Sequence, residues 1–360
     1  MSFDSLLARA GEWFVCSGIQ EPSGGVARYY RTDLAGNHPV STEITGYAVS
    51  ALLFFEQPDN ALEAARFLAR QAWDGDSMPF ETNHGPNGLA TYFFDCGIIV
   101  RGLLAAWRAT GEKEFLGVAA ALGRAMAADF ASADGDYHPI LKLPEKKPLP
   151  RDPLRWSQEA GCYQLKSALA WWELFEATGE GIFRESYERL LENALRGYSR
   201  FLPGHSDPLK VVDRLHAFLY FLEGMLPKAG EPAGSPATAE RCRAALCDGI
   251  RRVAGHIDQA APEFERSDVY AQLLRIRVFA GWMGIVPLDE AAAQREAAIL
   301  AGFQAVSDDR RIDGGFYFGR KNGAWLPYVN PVSTAFAAQA LALWQRHRKG
   351  ETPAGWVQLI

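Results

Sequence analysis

YFFDCGIIVRGLLAAWRATGEKEFLGVAAALGRAMAADF, residues 92–130, holds the fold in miniature. Its first half is apolar around most of a helical circumference and contains the small residues Gly97, Gly102, Ala105 and Ala106. A helix of that kind is buried on most sides, and small residues let neighbouring backbones approach. Gly111 interrupts the pattern at the place where a left-handed residue ends a helix. The second half, from Glu112, alternates apolar and charged positions at helical spacing and keeps one wet face. The stretch is a helical hairpin, one member inner and one outer.

The same hairpin recurs along the chain about every 50–65 residues, a period that signals a repeat architecture. Further inner segments read TEITGYAVSALLFFE (from Thr42), QEAGCYQLKSALAWWELFEATG (from Gln158), DRLHAFLYFLEGML (from Asp213), SDVYAQLLRIRVFAGWMG (from Ser267) and NPVSTAFAAQALALWQRH (from Asn330). Outer partners begin at Ala61, Phe183, Ala237 and Leu288. SLLARAGEWFVCSG, from Ser5, supplies a sixth outer helix whose partner is the last inner one. The expectation is an all-α, single-domain (α/α)6 toroid over residues 1–360, closed by its first helix; the competing arrangement is an open solenoid. The Pro-rich KLPEKKPLPRDP, from Lys142, reads as a long loop because like helices continue on both sides.

Bulk properties narrow the function. Net charge is −6, and the 37 Lys and Arg are dispersed, so no basic stripe exists for a nucleic-acid backbone. The opening residues have no basic region followed by an apolar run, and no stretch approaches a membrane span. Five widely spread cysteines (Cys16, Cys96, Cys162, Cys242, Cys247) contain no CxxC pair. They read as free thiols in a reducing, cytoplasmic setting, with neither metal nor cofactor expected.

If inner and outer helices alternate antiparallel, every inner N-terminus faces one end, where unpaired backbone N–H groups carry partial positive charge. The residues at those starts are Glu43, Asp95, Glu159, Asp213, Asp268 and Asn330. Singly, each is explained by capping or by the helix dipole, most simply Asp268 and Asn330. Asp95 differs because Phe93, Phe94, Cys96 and Ile98 surround it, and burial raises a carboxyl pKa as a general acid requires. His216 lies three residues after Asp213 on one helical face; the plainer reading makes it a structural donor. Tyr30, His84, Tyr92, Trp156, Tyr163, Tyr270 and Tyr328 crowd the same starts and loops. Flat rings among carboxylates and amides suit a carbohydrate, whose rings have apolar faces edged with hydroxyls; packing of loops is the simpler role for half of them.

The hairpin rhythm, the segment FFDCGIIVRGLLAAWRATGEKEFL and the DGGF turn at residues 313–316 resemble the six-hairpin glycosidase-like superfamily. That group of (α/α)6 toroids includes glycoside hydrolases, unsaturated uronyl hydrolases, N-acylglucosamine 2-epimerases and some polysaccharide lyases. The resemblance spans nearly the whole chain but matches no complete catalytic signature. It implies a carbohydrate ligand and a pair of acids: Asp95 as proton donor with Glu159 as partner, beside Asp213 and His216. The substrate would be held by Glu43, Tyr30, His84, Tyr92, Trp156, Tyr163, Asp268, Tyr270, Tyr328 and Asn330. An epimerase or lyase would use His216, Tyr163 or Tyr270 instead. The 2-epimerases use paired histidines on inner helices, and here only His216 sits on one. The Asp-rich motif of terpene cyclases and the zinc ligands of lanthipeptide cyclases are absent. A sugar-binding protein without chemistry is the remaining alternative.

Overall fold

The computed structural model describes residues 3–81, 89–152, 155–231, 237–352 and 355–360. The helices are α1 (Phe3–Cys16), α2 (Thr42–Phe54), α3 (Pro58–Phe67), α4 (Phe93–Thr110), α5 (Lys113–Asp129), α6 (Leu165–Thr178) and α7 (Gly181–Phe201). They continue with α8 (Pro208–Gly224), a short α9 (Leu226–Ala229), α10 (Ala237–Ala260), α11 (Ser267–Trp282), α12 (Glu290–Ala301) and α13 (Pro331–Arg348). Among the described residues no helix is long and apolar enough to cross a membrane. The chain divides into two compact units: Gly18–Arg28 with Asn37–Ala194, and Met1–Ser17 with Tyr29–Gly36 and Leu195–Ile360.

In the unit of residues 18–28 and 37–194, α2, α4 and α6 are buried on most sides, whereas α5 buries one face through Phe115, Ala119, Leu122 and Met126. Close approach sets the order α2–α4–α6. A Cβ on Gly102 would lie 2.5 Å from the carbonyl oxygen of Gly46, and one on Gly97 would lie 2.4 Å from the Ser167 Cβ. Real Cβ atoms do not come so near, so α4 can sit this tightly between its neighbours only with glycine there. Both α4 and α6 end as their sequences imply, on Gly111 and Gly179, each at φ +74°. Between the two helices the Glu173 carboxylate, 1% exposed, accepts from Arg101 and Arg108 at 2.6 Å each. The strand Ala90–Tyr92 pairs antiparallel with Ile140–Lys142 and leads into α4.

In the other unit α8, α11 and α13 are the enclosed helices. Arg275 of α11, fully buried, donates to Glu223 at 2.6 Å, with its guanidinium 3.9 Å from the Phe336 ring centroid. The helix expected to close the repeat does so: α1 packs on α13. Its Trp13 indole donates to the Arg311 carbonyl at 2.9 Å, and Arg9 bonds Asp313 at 2.5 Å. Gly314, at φ +85°, lies so close to the Arg9 carbonyl that an added Cβ would meet it at 2.3 Å.

Two expected helix starts are displaced. The segment from Gln158 does not begin a helix; a 3-10 turn at Trp156–Gln158 gives way to extended backbone at Glu159. A second turn follows at Cys162–Gln164, pinned by the Gly161 N–H donating to Gln164 Oε1 at 3.1 Å, and α6 starts only at Leu165. Helix α8 starts earlier than expected, at Pro208, because Asp207 caps it by accepting from the Leu209 N–H.

Candidate functional site

Two polar constellations stand at the enclosed helix starts, one in each unit. The first is built on α2 and α4. Ser41 caps α2 by accepting from the Ile44 N–H at 3.4 Å, which places Glu43 in the first turn. The extended Tyr92 precedes α4 and places Asp95 in its first turn. Asp95 is 6% exposed, and its Oδ2 has no hydrogen-bond partner among the described residues. Burial, reinforced by the charge of Glu43, holds the Asp95 carboxyl well above the usual carboxylate range. Glu43 keeps an edge open to solvent, yet loss of hydration pushes it up to about 7 despite the nearby Arg28. The pair therefore retains a proton near neutrality.

Aromatic groups surround this pair. Tyr163 is buried, donates its hydroxyl to the Glu159 carbonyl at 3.0 Å, and is pushed up by burial and by Asp95. Tyr92 is likewise raised by burial and Asp95, with Arg28 opposing. Its ring lies 5.0 Å from that of Phe80, which carries the Arg28 guanidinium at 4.9 Å. Trp156 meets Tyr163 edge-on at 5.1 Å. Cys96, beside Asp95, is buried and pushed up to about 12, so it is not a nucleophilic thiol.

The second constellation joins α8 to α11. Arg266 forks to Asp268 at 2.6 Å and reaches Asp213 at 3.1 Å, with its guanidinium over the Phe318 ring. His216 Nδ1 lies 2.7 Å from Gln272 Oε1 and 3.2 Å from Asp268 Oδ2. Burial outweighs the attraction of Asp268 and lowers His216 to about 4, so the imidazole is neutral. With Nδ1 facing two oxygens, the proton resides there and Nε2 keeps the lone pair.

These positions revise several expectations. Glu159 is not on a helix start; the acid that acts on Asp95 is Glu43, from the neighbouring α2. Asp213 is in the second turn of α8, its side chain 57% exposed and engaged by Arg266. Asp268 is no simple cap, since its carboxylate holds Arg266, although it also accepts from the Val269 N–H. Asn330 does cap α13, accepting from the Ser333 N–H at 2.6 Å. Tyr30 is buried beneath Arg311, Tyr270 is buried with its hydroxyl toward Glu265, and Tyr328 is part-exposed against Tyr29 and Phe318. His84 lies outside the described residues. Sequence reasoning missed Arg28, whose position depends on contact with the distant Phe80. Among the described residues no three His, Cys, Asp or Glu side chains gather as metal ligands.

No family model matches this chain, and no curated protein matches it in sequence. Solved structures are similar to it throughout. A sugar epimerase from a ruminal bacterium superposes with a TM-score of 0.68 at 12% identity, covering 95% of this chain and 99% of that one. Cellobiose 2-epimerase from Spirochaeta thermophila gives 0.65 at 16% identity, covering 93% of each chain. An alpha-amylase from Clostridium perfringens gives 0.63 at 12% identity, covering 94% of this chain and 98% of that one. Likeness at such identities speaks of architecture, and the architecture of this chain is the (α/α)6 toroid of the six-hairpin glycosidase-like superfamily.

Proposed function

We propose that this protein is a carbohydrate-active enzyme that cleaves a glycosidic bond, with Asp95 as general acid and Glu43 as its partner. The observation that carries this reading is the mutually coupled, proton-retaining pair on adjoining helix starts. Asp95, the more enclosed of the two, donates its proton to the departing glycosidic oxygen as the C–O bond breaks. Glu43, at about 7, is ionised often enough near neutrality to take a proton from the attacking water or to attack the anomeric carbon itself. The role expected of Glu159 passes to Glu43. The similarity to an alpha-amylase is consistent with hydrolysis on this fold.

A second reading is favoured by one observation, the neutral His216 fixed through Nδ1 by Gln272 and Asp268. Its Nε2 would remove a proton beside a sugar carbonyl, which accords with the similarity to two epimerases. A panel of oligosaccharides incubated in deuterated water separates the two. Hydrolysis releases new reducing ends, whereas epimerisation leaves chain length unchanged and exchanges a carbon-bound hydrogen. Asp95→Asn is expected to lower hydrolysis about 10²–10⁴-fold while His216→Asn leaves bond cleavage largely in place. Cleavage that survives Asp95→Asn removes the assignment.

A further inference from the structure

The acidic pair has a cation beside it that no acid has claimed. Arg101 and Arg108 are tied to Glu173 in the same unit. Arg28 is different: it is exposed, its guanidinium rests on the Phe80 ring, and among the described residues it makes no ion pair or side-chain hydrogen bond. Nor is its place accidental. The Arg28 N–H donates to the Pro39 carbonyl at 3.2 Å, and two residues earlier the Val26 N–H donates to Thr45 Oγ1 of α2 at 2.9 Å. Phe80 is fixed at both ends of its peptide group, donating to the Ala90 carbonyl at 2.8 Å and accepting from the Thr42 N–H at 3.1 Å. Backbone bonds to the first turn of α2 and to the strand entering α4 thus hold the ring and the cation beside the turns that carry Glu43 and Asp95. The charge of Arg28 is felt by Glu43, Asp95 and Tyr92.

A guanidinium with open donors, lying flat on an aromatic ring at the edge of a sugar site, matches a planar carboxylate in a bidentate fork. Resting on the reading of Asp95 and Glu43 as the reacting pair, we infer that Arg28 binds the carboxylate of a uronate residue, so that the substrate is an acidic saccharide. An anion brought to two ionised acids would be repelled, but this pair holds protons near neutrality and does not oppose it. The arriving carboxylate adds negative charge facing Glu43, Asp95, Tyr92 and, beside Tyr92, Glu81. Binding near pH 7 is then accompanied by proton uptake, which keeps the general acid loaded.

Calorimetric titration on the Asp95→Asn protein reads binding without turnover. The probes are a glucuronate-terminated disaccharide, its glucose-terminated counterpart, and a 6-sulfated version of the latter. The glucuronate compound should bind roughly 10- to 100-fold more tightly than the neutral one. Arg28→Gln should bring that ratio to near one, and Arg28→Lys should restore part of it. With the wild-type acid pair, titrations in two buffers of different ionisation heat should reveal proton uptake. Equal affinities, no binding of either sugar, preference for the sulfated compound, or an unchanged preference in Arg28→Gln with an unaltered melting temperature would each overturn the inference. Uronate preference without any cleavage leaves Arg28 in its role and removes hydrolysis, whereas cleavage of neutral sugars without preference does the reverse.

Discussion

Glu43 and Asp95 occupy first helical turns, where the backbone favours a carboxylate by about 0.3–1 kcal/mol. One pKa unit corresponds to about 1.4 kcal/mol, so that preference cannot offset the rise of Glu43 from 4.5 to about 7. Loss of hydration wins. Because the folded protein binds this proton more tightly than the unfolded chain, the associated stability is complete below the ordinary value of 4.5 and is lost as pH rises through about 7. Replacing Glu43 by Gln removes the titration. Melting temperatures taken from pH 5 to pH 8 should therefore fall less steeply for Glu43→Gln than for the wild type; parallel slopes would show that Glu43 titrates normally. Asp95 was legible in sequence because an acid between Phe94 and Cys96 had few ways to stay hydrated. Arg28 was not, since nothing local announces that its guanidinium will lie on a ring 52 residues further along the chain.

Helix α4 shows what an element's glycines decide. Gly97 faces Ser167 with no room for a methyl group, whereas Gly117 on the outer helix α5 has nothing within 4 Å of the corresponding point. The same substitution should have opposite signs at the two positions. Gly97→Ala forces α4 away from α6 and should lower stability by about 1–3 kcal/mol. Gly117→Ala gives an exposed helical position a better helix former and should raise it by about 0.5–1 kcal/mol. Urea unfolding midpoints of the two variants test this, and a Gly97→Ala protein as stable as wild type would contradict the packing. The alternation of enclosed and half-wet helices was readable from apolar periodicity. The start of α6 was not, because Ala160 and Gly161 continue the small-residue pattern while the backbone there is extended. The start of α8 was written in Asp207 and Pro208, a cap followed by a residue suited to the first helical position, and was passed over in favour of the next acid.

For the molecule as a whole, one of its two units is assembled from both extremities of the chain. That the first helix would seek the last enclosed one followed from counting hairpins; that the chain would divide as it does left no mark in composition. Trp13, 1% exposed and bonded to Arg311, is central to the junction. Trp13→Ala should cost about 3–5 kcal/mol, with loss of hydrogen-exchange protection centred on α13 and on residues 303–316. Protection unchanged in those segments would mean that α1 is an ornament. The junction also has a consequence during synthesis. Gln304 donates to the carbonyl of Leu6, 298 residues earlier, so the face of Leu6, Ala10, Trp13 and Phe14 leaves the ribosome long before its partners exist. At about 5–20 residues per second the delay is on the order of 15–60 s. The oldest helix of the nascent polypeptide is among the last to be housed, and throughout that interval its greasy side is offered to whatever chaperone attends translation.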